Sequence, residues 1–277
     1  MRSPRLRTPR SVRRVRRALV GLAGVGLVLA FAGQAHMGAA LFGAMLVCLV
    51  LLESAQLRST VLEGQRQQYA LTQIRPLFGD LPLELGGWAA DAVLIHNAVL
   101  LIAETRPRFV LECGSGTSTV VIARCLRAYG GRIVSLEHDS AYAGRTSEMV
   151  RRCGLNDTAT VVTAALVPRK VNGGTAPWYA PAYEPYLSEL IDFLLVDGPQ
   201  KVVGLRARYP AVPLLRSRLA PECWILMDDG DRPDERAIAH AWSEDLGAKL
   251  TYLEGGRGGW LLHRQTTGAA RRDAGSV

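Results

Sequence analysis

Paired-cysteine chemistry is missing from this chain of 277 residues. Its five cysteines, Cys48, Cys113, Cys125, Cys153 and Cys223, are odd in number and show no C-x-x-C spacing, which excludes a disulfide framework and a cysteine-built zinc site and fits a reducing compartment. Cys48 falls in an apolar run, and the other four read as small buried hydrophobes. Acid is missing from the N-terminal part: eight arginines, from Arg2 to Arg17, precede the first carboxylate, Glu53. Without that tail the basic and acidic counts are equal at 25 each, so the net charge of +8 belongs to the tail. A neutral body excludes a nucleic-acid-binding face. Also missing are a P-loop, an H-E-x-x-H helix and a Ser-His-Asp pattern, which removes support for kinase, zinc-protease and hydrolase chemistry. His36, His96 and His263 take structural positions, and His240 falls in mid-helix. What is present is ordinary globular material, 48% hydrophobic and 21% charged, enough for a sizeable core.

After the basic tail (1–17), residues 18–33 and 38–52 carry no charge and are separated by Gln34-Ala35-His36-Met37. Each run is short of the roughly 20 residues a single span needs, so the choices are a hairpin of two short helices, one long tilted span, or a signal sequence. A signal sequence would leave the second run at the mature terminus. The preferred reading is a transmembrane hairpin over 18–52. Arginines on both sides, the tail and then Arg58, Arg66 and Arg75, place both ends in the cytoplasm of a membrane-bound protein. Residues 53–85 read as a juxtamembrane helix and linker ending around Gly79, with Pro82 and Gly86-Gly87 at the boundary of the main domain, 86–264. The segment 265–277 reads as a disordered tail.

Within the main domain, a helix from Trp88 to Thr105 precedes a buried strand at Phe109-Val110-Leu111. A helix over 118–129 and a strand over 133–136 complete one βαβ unit. Further strands are expected at 160–164, 193–196 and 224–227, with a helix over 142–153. Apolar strands alternating with helices imply a parallel sheet covered on both faces. The last two strands, 250–253 and 260–263, are joined by Gly255-Gly256-Arg257-Gly258-Gly259 and form an antiparallel hairpin. The expectation is a doubly wound, mostly parallel α/β fold of seven strands that ends in this hairpin.

Open α/β sheets bind ligands beyond the carboxyl ends of their strands. Strand one runs into Glu112-Cys113-Gly114-Ser115-Gly116-Thr117-Ser118-Thr119, where two glycines permit a tight turn and close approach to a ligand. Thr119 stands where a dinucleotide fingerprint has its third glycine. Strand two ends in Glu137, an acid placed to accept hydrogen bonds from two ribose hydroxyls. Strand four ends in Asp197-Gly198-Pro199 and strand five in Asp228-Asp229-Gly230.

The string Phe109 to Thr119, with the acid before the first glycine, resembles the first motif of class I S-adenosylmethionine-dependent methyltransferases, and the terminal hairpin resembles their sheet. The resemblance covers about residues 86–264. It implies S-adenosylmethionine as cofactor, with Glu112, Gly114, Ser115, Gly116 and Ser118 on its methionine side, Glu137 on the ribose, and His138 and Asp139 bordering the adenine. Ala164-Ala165 stands where many members carry an acid after strand three. The resemblance also implies that Asp197 is the active-site acid, facing the donor methyl. Asp197, Asp228 and Asp229 resemble the acids that hold a divalent cation in catechol-type O-methyltransferases, which implies Mg²⁺ here; Asp229 stands where the last is often Asn. Asp after a buried strand also caps the next element, and Asp231-Arg232-Pro233-Asp234-Glu235 reads as a helix start.

Residues 166–186 read as a long loop, whose Trp178, Tyr179, Tyr183 and Tyr186 either close over the acceptor, face the sulfonium or pack the loop down. The function expected is a membrane-anchored methyltransferase acting on an oxygen of a small or lipid-linked acceptor. An NAD-dependent oxidoreductase is the alternative on Gly114-x-Gly116 and Glu137, opposed by Thr119 and the hairpin. A non-catalytic membrane scaffold with the same fold is the third.

Overall fold

The computed structural model describes residues 17–25, 28, 35–78 and 89–265. The chain divides into two compact units, Met1–Gln65 and Arg66–Val277. The expected tail at 1–16, part of the first apolar run, the boundary at 79–88 and the C-terminal tail from 266 lie outside the described residues.

In the N-terminal unit residues 17–25 are helical, and the second apolar run opens the long helix α1 (Ala35–Ile74). The second run is therefore not a short helix of its own, and the polar segment expected as a separate juxtamembrane helix continues it. No Gly-Pro or Pro interrupts α1 before Pro76, so the change of composition at Glu53 alters its surface and not its backbone. Its most apolar stretch of 18 residues has mean hydropathy 2.0, and Leu41, Phe42, Leu46, Val47, Val50 and Leu51 are exposed. By length and composition it is the one described helix able to cross a membrane.

The second unit begins with the end of α1, where Pro76 converts the chain to a 3-10 turn over Arg75–Leu77. Helix α2 (Ala92–Thr105) starts later than the expected Trp88, because Asp91 caps it: its Oδ1 accepts from Leu94 N at 2.9 Å. The remaining order is β1 (Phe109–Cys113), α3 (Thr117–Arg127), β2 (Arg132–Glu137), α4 (Ser140–Arg152), β3 (Ala159–Thr163), β4 (Leu166–Val171), β5 (Gly174–Tyr179), β6 (Ile191–Val196), α5 (Ala211–Leu215), β7 (Leu219–Asp228), α6 (Pro233–Leu246), β8 (Lys249–Leu253) and β9 (Gly259–Gln265).

Seven strands form one sheet in the order β3-β2-β1-β6-β7-β9-β8, with β9 and β8 antiparallel as expected. The departure lies in the segment 166–186: β4 and β5 make a separate two-stranded antiparallel ribbon, turning at Asn172 and Gly173, both at positive φ. Pleat alternation divides the core. Phe109, Leu111 and Cys113 of β1 face a cluster with Trp178, Tyr183, Val212 and Trp242. Val110 faces the other cluster, with Ile95, Ile102, Val121 and Leu126 of α2 and α3, and there Ala70, Ile74 and Phe78 also pack. Cys113 and Cys223 are fully buried and Cys125 and Cys153 partly so, while Cys48 is exposed. His263 stacks on Trp224 at 3.8 Å and His240 lies against Trp260, both packing roles.

Candidate active site

β1, β2 and β6 are parallel neighbours, so Cys113, Glu137 and Val196 end at one edge of the sheet. The connections diverge between β1 and β6, the place where open α/β sheets form a crevice. A cavity of about 300 Å³ lies there, at the lower end of the range for small-molecule sites.

Its floor is backbone. Gly114 adopts φ +94°, and a Cβ there would stand 3.2 Å from Gly198 N; one on Gly198 would stand 3.1 Å from Gly114 N and 2.6 Å from the Tyr179 hydroxyl. The two strand-end loops therefore touch through glycine alone. Ser115, Gly116 and Ser118 line the cavity as expected. Thr119 does the work of the absent third glycine differently: its Oγ1 accepts from Gly116 N at 3.0 Å and donates to Glu112 Oε2 at 2.5 Å.

Glu112 corrects one expectation. It shares the pleat face of Val110, beneath α3, and does not line the cavity. Its carboxylate is fully buried and accepts from the hydroxyls of Ser118, Thr119 and Ser135. Burial is the largest influence on it, and its pKa is pushed up to about 7 against the pull of those hydroxyls. Glu112 anchors the glycine loop from below.

Glu137 lines the cavity and is gripped by backbone amides. Its Oε1 accepts from His138 N (2.8 Å) and Asp139 N (3.0 Å), and its Oε2 from Ser115 N (3.1 Å). The His138 ring lies with Nδ1 3.1 Å from the same carboxylate. Asp139 caps α4 through Ala141 N and Tyr142 N, and the amide of Tyr142 holds its carboxyl below the usual range. Tyr142, with the Arg145 guanidinium over its ring at 4.6 Å, extends this wall.

Across the cavity stands Asp197, its side chain 15% exposed. Behind it Asp228 and Asp229 are buried, and acidic oxygens of the three residues lie within 4.8 Å of one another. That spacing suits a cation, yet guanidinium groups already supply the positive charge. Arg208 Nη2 donates to Asp197 Oδ1 (3.1 Å) and Asp229 Oδ2 (2.8 Å), and its Nη1 to Asp228 O (2.7 Å). Arg257 Nη2 donates to Asp228 Oδ2 at 2.5 Å, with Nε 3.3 Å from Asp229 Oδ1, and Arg232 Nη1 reaches Asp229 Oδ2 at 2.7 Å.

A divalent cation would meet three like charges at close range, and Asp228 and Asp229 do not line the cavity. The acids present do not fit Mg²⁺. Asp229 sits at φ +60°, a left-handed position that short polar Asn and Asp tolerate best. Burial, then the charge of Asp228, pushes the Asp197 carboxyl well above the usual range, while Arg208 and Arg257 pull the other way.

Sequence reasoning missed Tyr142, Arg145, Gln200, Arg208 and Arg257, and gave Tyr179 no fixed role. Arg208 and Arg257 carry no local pattern that marks them, since their pairing is made by tertiary approach. The ribbon did leave a signal: Asn172-Gly173 between two apolar-bearing segments is a two-residue hairpin turn.

Residues 111–230 match the family model described as "Methyltransferase domain". This stretch is a class I S-adenosylmethionine-dependent methyltransferase domain. The match replaces the oxidoreductase alternative. Among solved structures, the S-adenosylhomocysteine-bound methyltransferase of Podospora anserina is 16% identical, with 77% of this chain and 96% of that one covered at a TM-score of 0.52, and shares the fold. An O-methyltransferase of Bacillus cereus in complex with S-adenosylhomocysteine (18% identity, 73% and 91% covered, TM-score 0.48) and a Streptomyces achromogenes O-methyltransferase of tomaymycin synthesis in complex with S-adenosylmethionine (19%, 73% and 90%, 0.48) also match. No curated protein sequence matches the chain.

The cavity fits the methyl donor of this class. The glycine contact lets a ligand reach backbone, Glu137 presents a carboxylate to it, and the buried Tyr179 hydroxyl has no partner among the described residues.

Proposed function

We propose that the domain methylates a hydroxyl oxygen of a small or lipid-linked acceptor, with Asp197 receiving the hydroxyl proton and no metal taking part. The observation that carries this reading is the position of Asp197: it is the one acid of the cluster that lines the cavity, and Arg208 fixes its Oδ1 from behind. Bound in the cavity, S-adenosylmethionine supplies an electrophilic methyl carbon on a sulfonium. Glu137 accepts from the ribose hydroxyls, and the Gly114–Gly116 loop steadies the methionine side, with Ser115 and Ser118 beside it. His138 and Asp139 border the adenine.

An acceptor O–H seated at Asp197 would give its proton to the carboxylate as its oxygen takes the methyl carbon, and the bound donor would supply that carbon and keep the electron pair of the broken carbon–sulfur bond on sulfur. A carboxyl with raised proton affinity is the stronger base for this step. In place of a metal, the guanidinium charges of Arg208 and Arg257 keep the three acids together.

The same reading holds the chain at the cell membrane with the domain cytoplasmic. From Ala35 to Leu52, 18 residues of α1 carry no charge, roughly 27 Å of helix, with the hairpin over 18–52 and its flanking arginines on one side. Comparison of metabolites in cells with and without the protein, seeking products heavier by one CH₂, identifies the acceptor. With that acceptor, Asp197→Asn lowers kcat by roughly 10²–10⁴ while calorimetric affinity for S-adenosylmethionine is retained, and chelator leaves wild-type turnover intact. Full activity in Asp197→Asn overturns the base; activity lost to chelator and restored by Mg²⁺ overturns the metal-free site.

A further inference from the structure

Tyr179 is the last residue of the β4–β5 ribbon, fully buried, with Trp178 edge-on to its ring at 5.0 Å and His138 at 6.5 Å. It lines the cavity, and its hydroxyl comes to rest against Gly198, where a Cβ would be only 2.6 Å away. The carboxylates of Glu137 and Asp197 are near enough to act on it electrostatically, yet neither accepts its proton, and among the described residues the hydroxyl has no hydrogen-bond partner. A buried hydroxyl left without a hydrogen bond costs stability, so a fold that holds one against its cavity keeps a donor for what binds there. Burial keeps the phenol protonated, and it can only donate to a carboxylate or share with a neutral oxygen.

The position decides the ligand group. Tyr179 stands between the end of β2, which carries Glu137 and His138, and the end of β6, which carries Asp197 and Gly198. A sugar hydroxyl has both a proton to give and lone pairs to receive one, whereas Glu137 as carboxylate can only accept. We propose that Tyr179 is a cofactor-binding residue, donating to a ribose hydroxyl oxygen of the methyl donor whose own proton goes to Glu137. The ribbon is then part of the cofactor site. This rests on the methyltransferase reading above.

The test is calorimetry of the full chain with S-adenosylhomocysteine and with its analogue lacking both ribose hydroxyls. Tyr179→Phe keeps ring and packing and removes only the oxygen. The expected result is binding of S-adenosylhomocysteine about 3- to 10-fold weaker than wild type, with no difference between the two proteins for the dideoxy analogue. Unchanged affinity for S-adenosylhomocysteine overturns the proposal. So does an equal loss with the analogue, which moves the contact off the ribose hydroxyls, and so does an equal loss in Tyr183→Phe, which would make the effect general loosening of this face. Failure of the wild-type protein to bind S-adenosylhomocysteine at all sinks the methyltransferase reading itself, a result distinct from each of these.

Discussion

Glu137 and Asp228 are both acids at the carboxyl ends of strands in one sheet, β2 and β7, and their surroundings differ completely. Glu137 faces the cavity and is held by three backbone amides, which are fixed in place by the fold and leave the carboxylate facing a ligand. Asp228 and Asp229 are buried and held by the guanidinium groups of Arg208, Arg232 and Arg257. One acid is presented and the others are consumed. The type of partner, more than the position on the strand, separates a binding residue from a supporting one.

The guanidinium side of this contrast breaks most severely. Arg208→Ala leaves Asp197 and Asp229 without their shared donor in a buried setting, and the expected loss is about 3–5 kcal/mol of stability in urea unfolding. A loss under 1 kcal/mol would show that the cluster is not a charge-balanced unit. The amide side responds in binding instead: Glu137→Ala weakens S-adenosylmethionine by about 1.5–3 kcal/mol in calorimetry, with a smaller change in unfolding. Equal stability losses in the two variants would erase the distinction.

Glu112 sharpens the contrast with the smallest effect, because it is buried like Asp228 but has hydroxyl partners only. Its folded pKa, about 7, lies above the ordinary 4.5, so the folded chain binds more protons than the unfolded one between those values. Its contribution is complete below about pH 4.5 and is lost as pH rises through about 7. Glu112→Gln therefore flattens the fall in melting temperature over that window, whereas an unchanged pH profile would mean the carboxyl is ionised throughout.

Much of this was readable from local pattern. The seven strands of the sheet, the antiparallel end, the acid closing β2 and the Pro233 start of α6 each follow from periodicity, strand ends and helix-start residues within a few positions. Helix α1 runs unbroken through Glu53, because a change of polarity along a helix is not a change of backbone preference. The ribbon hid because Pro168, Arg169 and Lys170 break the two-residue alternation of β4, leaving only Asn172-Gly173 as a sign. The arginine cluster is written nowhere locally: Arg208 and its acids Asp197, Asp228 and Asp229 come together only when β6 and β7 pair. Glu112 was assigned to the cavity from its neighbours in the motif, whereas the pleat turns it under α3.

The last turns of α1 bear on where this protein can be cut. Ala70, Ile74 and Phe78 are buried in the same cluster as Ile95 and Ile102, and Arg124 Nη1 donates to Leu77 O at 2.6 Å. A chain shortened to begin at Gly86, where the glycine pair suggests the domain starts, would strip away that covering and lay bare an apolar surface, at a cost of roughly 1.5–3 kcal/mol for each of Ile74 and Phe78. The compact unit that includes this covering begins upstream, at Arg66. Whatever detaches the enzyme from its apolar N-terminal segment, a protease or an engineer, has to do so inside α1 itself.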